Sequence, residues 1–257
     1  MSNSLSPSMK SFCVLGAATW LLMGWSVCGA SARAEMPAPS TYAPQADLLG
    51  QVDFFLVRIE ETLSAGEVDM AGQSRLLKDA NTLAMLGLVL SQHDADFPEK
   101  AAMPAFVKAA QSLAAAEGDL VKAKAAFADM QAARAGKFTA EVPPLRWQRV
   151  ASLPLVMKQV PLIHAGLKRG TGRRLDRNKE QAAGQAAALA AIAQASIFDH
   201  EYASTPEDVA AWEQFCAEMR DAAGEVNVAA HAGDADRVES SMNKMLQSCE
   251  ACHEKFR

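Results

Sequence analysis

The chain has 257 residues, of which 50% are hydrophobic and 21% are charged, so it is neither disordered nor fibrous. Aromatic residues make up only 6%, while alanine is abundant, and this composition favours helices over sheets. The formal net charge of −5 argues against a nucleic-acid partner, because neutralising phosphates requires clustered lysine and arginine.

Residues 1–34 have the features of a secretory signal peptide. Lys10 precedes a mostly apolar stretch over residues 12–30, and the sequence Ala-Arg-Ala at 32–34 offers the small residues that a signal peptidase recognises. We expect cleavage before Glu35, no membrane span afterwards, and export to an oxidising compartment, which in a bacterium is the periplasm. The alternative is an uncleaved anchor, since about 18 apolar residues can span a bilayer.

Two breaks divide the rest of the chain. Residues 35–46 are rich in proline and predict a tether. A pair of adjacent prolines lies within residues 137–149, which predicts a linker because such a pair cannot sit inside a helix. We therefore expect a first helical domain over residues 47–136 and a second over residues 150–257.

Apolar residues recur every three or four positions in both domains, which predicts four helices in each. The clearest helix start is Thr205-Pro206, where a capping hydroxyl precedes a proline and two acidic residues follow. The predicted helices are 47–64, 70–91, 98–116, 119–135, 153–168, 178–198, 205–232 and 236–256.

Short internal matches favour a duplication. Gln51-Val52 matches Gln159-Val160 at the spacing that also relates Pro98 to Pro206. The predicted fold class is therefore all-α, with two tandem four-helix bundles. The alternative is one continuous array of about eight helices.

The strongest chemical signal is a Cys-x-x-Cys-His motif near the C-terminus, formed by Cys249, Cys252 and His253. On a helix, these positions are at i, i+3 and i+4 and share one face. The pattern is typical of c-type haem attachment, in which two thiols add to the porphyrin vinyl groups and the imidazole binds the iron.

Three other interpretations of the motif stay open. A redox dithiol is favoured at a helix N-terminus, whereas this motif lies near a helix C-terminus. A zinc site needs about four ligands, and the sequence has no second Cys/His cluster. The third interpretation is a structural disulfide.

The motif and its position resemble those of the cytochrome c′ family, whose members are four-helix bundles with the motif in the last helix. Only residues 254–257 follow the histidine, and they include the acidic, aromatic and basic residues common at that end of the family. The resemblance covers about residues 147–257. It implies one covalent haem c per chain, held by Cys249 and Cys252, with His253 as the iron ligand, and it makes a homodimer an expectation.

In that family, a residue of the first bundle helix covers the second haem face. An apolar residue there leaves the iron open to NO or CO, whereas a methionine gives a six-coordinate electron carrier. The candidates here are Leu153, four residues after Arg149, and Met157, one turn further on; we favour Leu153. His164 is a weaker candidate ligand, because an isolated histidine on a helix is usually an ordinary polar residue.

We therefore expect a periplasmic monohaem c-type cytochrome that transfers electrons to an unidentified redox partner protein. The alternative is a five-coordinate haem module that binds or senses NO or CO. We do not expect an enzyme, since no distal acid–base pair for O–O cleavage is recognisable; weak peroxidase activity is the third hypothesis.

Three other features complete the sequence-based prediction. The first domain contains no cysteine and only one histidine, His93, so we expect it to be haem-free and His93 to be solvated. Cys216 is left without a partner once the haem takes two thiols, and is predicted to be a buried apolar residue or to form an intermolecular disulfide. The basic run at 168–174 predicts a solvated turn or a docking patch for an acidic redox partner.

Overall fold

The computed structural model describes residues 36–137 and 142–257. Within these ranges the chain forms eight α-helices and no strand, so the all-α prediction is confirmed. The predicted leader, residues 1–34, lies outside the described residues. The helices are α1 (Gln45–Ser64), α2 (Met70–Ser91), α3 (Met103–Ala114), α4 (Leu120–Arg134), α5 (Leu153–Gly170), α6 (Leu175–Ser196), α7 (Pro206–Ala232) and α8 (Ala235–Phe256).

Side-chain caps explain where four of these helices begin. Asp69, Asp119, Thr205 and Asp234 each accept a hydrogen bond from a backbone N–H in the first turn of the helix that follows. At the other end of α7, Gly233 adopts the left-handed conformation with φ +72°, which ends the helix and starts the turn into α8.

Two helix starts differ from the prediction by three residues or more. The predicted helix 98–116 begins only at Met103, because a short 3₁₀ turn (Lys100–Ala102) precedes it. The helix predicted from Asn178 begins earlier, at Leu175, and Asn178 itself has non-helical backbone angles. The predicted start is therefore a kink within α6.

Helices α1 to α4 pack in a ring, in which each contacts the next and α4 returns to α1. Each contributes a fully buried large side chain to the centre, namely Phe55, Leu83, Phe106 and Met130. At one edge the Arg134 guanidinium joins α4 to α1 through a paired contact with Asp53, and also binds Glu99.

Helices α5 to α8 also pack each against the next, but the last helix does not return to the first, so they form no ring. α5 lies on α6, α6 on α7, and α7 on α8, whereas α5 and α8 have no extensive contact. α6 is the central helix, since it also packs against α1 and α2. Every residue from 182 to 196 is buried, and most are alanine, which lets the neighbouring helices approach closely.

The segment before α1 is held against both halves of the chain. Tyr42 is buried, and its backbone lies against Gly224 of α7. The next carbonyl, of Ala43, lies 3.1 Å from Nε2 of His93, whose Nδ1 accepts a hydrogen bond from the Ala95 N–H. By their contacts, residues 37–257 form one compact unit.

The prediction that His93 is solvated is wrong. Its side chain is buried, and burial lowers its pKa, so the ring is neutral at pH 7. Because Nδ1 accepts the Ala95 N–H, the proton is on Nε2, which donates to the Ala43 carbonyl. The histidine therefore closes the end of α2 against the N-terminal segment.

No helix in the described ranges is both long and apolar enough to cross a membrane.

Candidate haem-attachment site

Helix α8 carries the complete Cys-x-x-Cys-His motif in its last two turns. The Asp234 carboxylate caps the start of α8 by accepting the Arg237 N–H at 3.0 Å, and the helix then continues without a break to Phe256. Cys249, Cys252 and His253 therefore share one helical face, as predicted.

The two thiols and the imidazole of the motif have different surroundings. Cys249 and Cys252 are half-buried, and Sγ of Cys249 lies 3.9 Å from Sδ of Met219 on α7. His253 is exposed. The thiols are thus next to the α7–α8 interface, while the imidazole is free to meet a ligand from the solvent side.

Aromatic contacts fix the last turn of α8 to the start of α7. The Phe256 ring meets Trp212 edge-on at 5.3 Å and Phe215 at 6.4 Å. Nζ of Lys255 lies 3.1 Å from a carboxylate oxygen of Asp208. These contacts hold the motif as a helical turn rather than as a frayed end.

Burial keeps the cysteines of this region protonated. It raises the pKa of Cys252 to about 11, and it also raises the pKa values of Cys249 and Cys216. A catalytic dithiol depends on a lowered thiol pKa, so these surroundings do not activate the pair for thiol–disulfide exchange. Within the described ranges, all three cysteines are free thiols.

Cys216 is closer to the motif than the sequence suggested. It is buried, as predicted, and the motif cysteines Cys249 and Cys252 are near enough to contribute to its raised pKa. The register of the α7–α8 pair places Met219 opposite Cys249, since each is 15 residues from Asp234. Counting outward from the Gly233-Asp234 turn would have revealed this neighbourhood from the sequence.

A series of contacts links the helix ends at one end of the second half. Trp147, six residues before α5, stacks on Phe198 just after α6, with ring centroids 5.3 Å apart. The Trp212 indole N–H donates to the Ser196 carbonyl at 2.8 Å, which joins the end of α6 to the start of α7. Because Phe256 packs on Trp212, the end of α8 belongs to the same group.

The two candidates for the second haem face differ in accessibility. Leu153 is buried, and the residue before it is fixed to α2 by a hydrogen bond from the Ser152 N–H to the Asn81 side chain. Met157 is half-buried, one turn further along α5. α5 packs on α2 and α6, so neither candidate is brought against α8 by helix packing.

His164 lies away from this end of the structure. It is 11 residues after Leu153, which places it about 16 Å further along α5. Its Nε2 is buried and has no hydrogen-bond partner among the described residues. Burial, followed by the nearby Lys168, lowers its pKa, so the ring is neutral at pH 7.

The donor set fits covalent haem better than a bare metal ion. In the described part of the chain, no group of three or more His, Cys, Asp or Glu residues is arranged to hold a metal ion. Haem brings its own four nitrogen ligands, so Cys249 and Cys252 are needed only for attachment and His253 only as an axial ligand. Among the described residues, α5 makes no extensive packing contact with α8.

Comparison with known proteins gives no significant match for this chain among protein-family profiles, curated proteins or solved structures. The chemistry of the site has to be inferred from its own residues and their geometry.

Proposed function

We propose that the chain is a periplasmic monohaem c-type cytochrome that transfers electrons, with helices α5–α8 as its haem-binding half. The observation that carries this proposal is the position of Cys249, Cys252 and His253 on one face of the last two turns of α8. Two half-buried thiols precede an exposed imidazole in the order and spacing that covalent haem attachment requires.

Each residue of the site has a defined task in this proposal. Cys249 and Cys252 would hold the group through thioether bonds, which would fix its position on α8. His253 would supply a nitrogen ligand to the iron. Bound haem provides one-electron iron chemistry, while the protein sets its orientation, its axial ligands and its contact with water.

The α7 wall behind the motif limits contact with water. Trp212 and Phe215 cover the last turn of α8, and Met219 lies behind Cys249. An apolar wall favours the state of the haem with less net charge, which raises its reduction potential. This is a property suited to an electron carrier.

Accessibility favours Met157 over Leu153 as the residue for the second haem face. Leu153 is closed into the core, whereas Met157 keeps accessible surface one turn further along α5. A thioether from Met157 would give bound haem a second protein ligand, which would suit electron transfer rather than gas binding.

The first test is covalent haem attachment to the full chain, expressed with a c-type haem maturation system. We expect a haem-staining band that survives denaturation, weakened in each of Cys249→Ala and Cys252→Ala, lost in the double variant Cys249→Ala/Cys252→Ala, and kept in the matched control Cys216→Ser. Colourless exported protein with free thiols at positions 249 and 252 would overturn the proposal.

The second test separates the electron carrier from a gas-binding module. We expect the ferrous protein to have a low-spin spectrum that CO does not change, and Met157→Leu to make it sensitive to CO. His253→Ala should lose native ligation and keep covalent haem, whereas His231→Ala, on the distant end of α7, should keep the wild-type spectrum. A wild-type spectrum that shifts with CO would replace electron transfer by binding of CO or NO as the function.

A further inference from the structure

A second site lies between α1, α5 and α6. The cavity there has a volume of about 570 Å³, within the range of small-molecule sites in proteins. Three arginines line it, Arg58, Arg169 and Arg174, and no acidic residue does, although the chain carries a net charge of −5. The lining therefore favours an anionic ligand.

The arginines are not equally available to a ligand. The Arg58 guanidinium lies 3.3 Å from the buried Asp79 carboxylate and stacks near the rings of Phe54 and Phe55. Arg169 and Arg174 form no ion pair with another described residue. An anion in the cavity would thus be paired by Arg169 and Arg174.

Buried amides also face this cavity without partners. Gln159 is only 1% exposed, and neither its Nε2 nor its Oε1 makes a hydrogen bond within the described residues. Oε1 of Gln185 is likewise buried and unpartnered. Buried polar atoms are nearly always hydrogen-bonded in folded proteins, so these atoms indicate a missing polar partner.

Two helix glycines make space for the amides of the cavity wall. A Cβ at Gly166 would lie 2.6 Å from Nε2 of Gln185, and one at Gly184 would lie 2.8 Å from Nε2 of Gln51. Glycine destabilises a helix relative to alanine, and alanine dominates the surrounding part of α6. The backbone of both helices is thus adapted to the positions of the glutamine side chains.

Apolar surface completes the lining. Phe54 and Leu162 are 45% and 48% exposed, although both are large and hydrophobic. They lie on α1 and α5, two of the three helices that line the cavity. A ligand with an apolar body would cover both residues and remove their surfaces from water.

We propose that this cavity binds a small amphipathic carboxylate that also carries a hydrogen-bonding polar group. Its carboxylate pairs with Arg169 and Arg174, its polar group bonds to the free amides of Gln159 and Gln185, and its apolar body lies against Phe54 and Leu162. The site is separate from the Cys-x-x-Cys-His turn, since none of its lining residues belongs to α7 or α8.

The probe is 6-hydroxy-2-naphthoate, measured by calorimetric titration of the full haem-loaded chain. We expect one bound molecule per chain. The uncharged 6-hydroxy-2-naphthamide tests the carboxylate, and 2-naphthoate, which lacks the hydroxyl, tests the amides; each should bind at least about tenfold more weakly. Equal binding of all three compounds, or no measurable binding of 6-hydroxy-2-naphthoate, would overturn the proposal.

Variants locate the binding. The double variant Arg169→Gln/Arg174→Gln should weaken the probe by about tenfold or more, because both charged partners are removed. Arg173→Gln is the matched control, since Arg173 lies in the same basic turn and does not line the cavity. If Arg173→Gln weakened binding of the probe as much as the double variant does, the binding would be unspecific attraction to the basic turn, and the proposed site would be wrong.

A neutral substitution tests the amides independently of charge. Gln159→Leu removes two buried unpartnered atoms, so the variant should unfold at a higher temperature than the wild type while binding the probe more weakly. A rise in unfolding temperature together with a fall in affinity for the probe would identify Gln159 as a ligand-binding residue. Unchanged affinity in a folded Gln159→Leu protein would contradict the proposal.

Discussion

The Sγ atom of Cys249 lies 3.9 Å from the Sδ atom of Met219, across the interface between α7 and α8. The contact arises because both residues are 15 positions from Asp234, so the antiparallel helices bring them to the same level. The motif thiol is therefore in apolar surroundings, and burial raises its pKa, which favours the protonated form.

This environment predicts slow thiol chemistry in the haem-free protein. Burial raises the pKa of Cys252 from 9.0 to about 11, which lowers its thiolate fraction about hundredfold at neutral pH. A more basic thiolate is also more nucleophilic, so the net expectation is alkylation about tenfold slower than in the urea-unfolded chain. Timed iodoacetamide labelling followed by mass spectrometry measures this ratio, and equal rates would show that the thiol is not held at the interface.

Cys216 provides the internal comparison for that experiment. It is the most buried of the three thiols, so it should react most slowly in the folded protein. Haem loading should remove Cys249 and Cys252 from the labelled set and leave Cys216 as the only reactive thiol of residues 36–257. Labelling of Cys249 in haem-loaded protein would contradict attachment through that residue.

The positions of the helices were largely predictable because their ends are decided locally. Asp69, Asp119, Thr205 and Asp234 are capping residues readable from the sequence, and the helices that follow them begin where expected. The motif on α8 was likewise predictable, since its spacing alone places the three side chains on one face.

Relations between distant parts of the chain were not predictable in this way. His93 resembles a solvated polar residue in the sequence, yet the segment around Ala43 covers it. Gln159 and Gln185 resemble surface residues, but the packing of α1 on α6 encloses them with three arginines. Such environments depend on which helices meet, and local periodicity carries no information about that.

The buried carboxyl group of Asp79 leads us to expect that the protein loses stability as the pH rises. Its side chain is fully buried, and burial raises its pKa from 3.8 to about 6 despite the nearby Arg58. Between about pH 4 and pH 6 the folded state holds a proton that the unfolded state has released, so the free energy of unfolding falls over this window. Asp79→Asn should therefore stabilise the protein by about 1–3 kcal/mol at pH 8 and have little effect below pH 4. Urea unfolding at both pH values measures the difference.

Asp94 serves as the control, because its pKa is shifted in the opposite direction to that of Asp79. Its pKa is lowered, chiefly by hydrogen bonds from the Ser40 hydroxyl and N–H, so the ionised form stabilises the fold. Asp94→Asn should destabilise the protein at pH 7, and the difference should vanish as the pH falls through the lowered pKa. Identical pH profiles for Asp79→Asn and Asp94→Asn would refute the electrostatic explanation for both.

Gly224 tests whether the N-terminal segment is held against α7. A Cβ at this position would lie 3.0 Å from both Cα and Cβ of Tyr42, and a backbone atom cannot move aside cheaply. Gly224→Ala should therefore lower the free energy of unfolding by about 1–2 kcal/mol, even after the gain in helix propensity. It should also make the segment before α1 more sensitive to limited proteolysis.

Gly50 supplies the matched substitution in a helix with open surroundings. Nothing lies within 4 Å of a Cβ at Gly50, so Gly50→Ala should stabilise α1 by about 0.5–1 kcal/mol. Thermal unfolding of both variants gives the comparison. A stabilising Gly224→Ala would show that Tyr42 does not pack on α7.

The ring contacts of Phe256 are expected to hold the motif as a helical turn at the end of α8. The ring contacts Trp212 and Phe215 and is half-buried, so Phe256→Ala should cost about 1–2 kcal/mol and expose the Trp212 indole to water. Hydrogen exchange of residues 249–257 should accelerate more than exchange in α7, because fraying begins at the end of α8. Lys255→Ala removes the ion pair with Asp208 and the contact of Nζ with the Phe256 ring, 5.4 Å from its centroid, but leaves the aromatic cluster in place. Because an exposed ion pair and an exposed cation–π contact are each weak, the exchange and the tryptophan emission should change much less than in Phe256→Ala. Equal acceleration in the two variants would mean that the contacts of Lys255, rather than the aromatic cluster, hold the turn that carries Cys252 and His253.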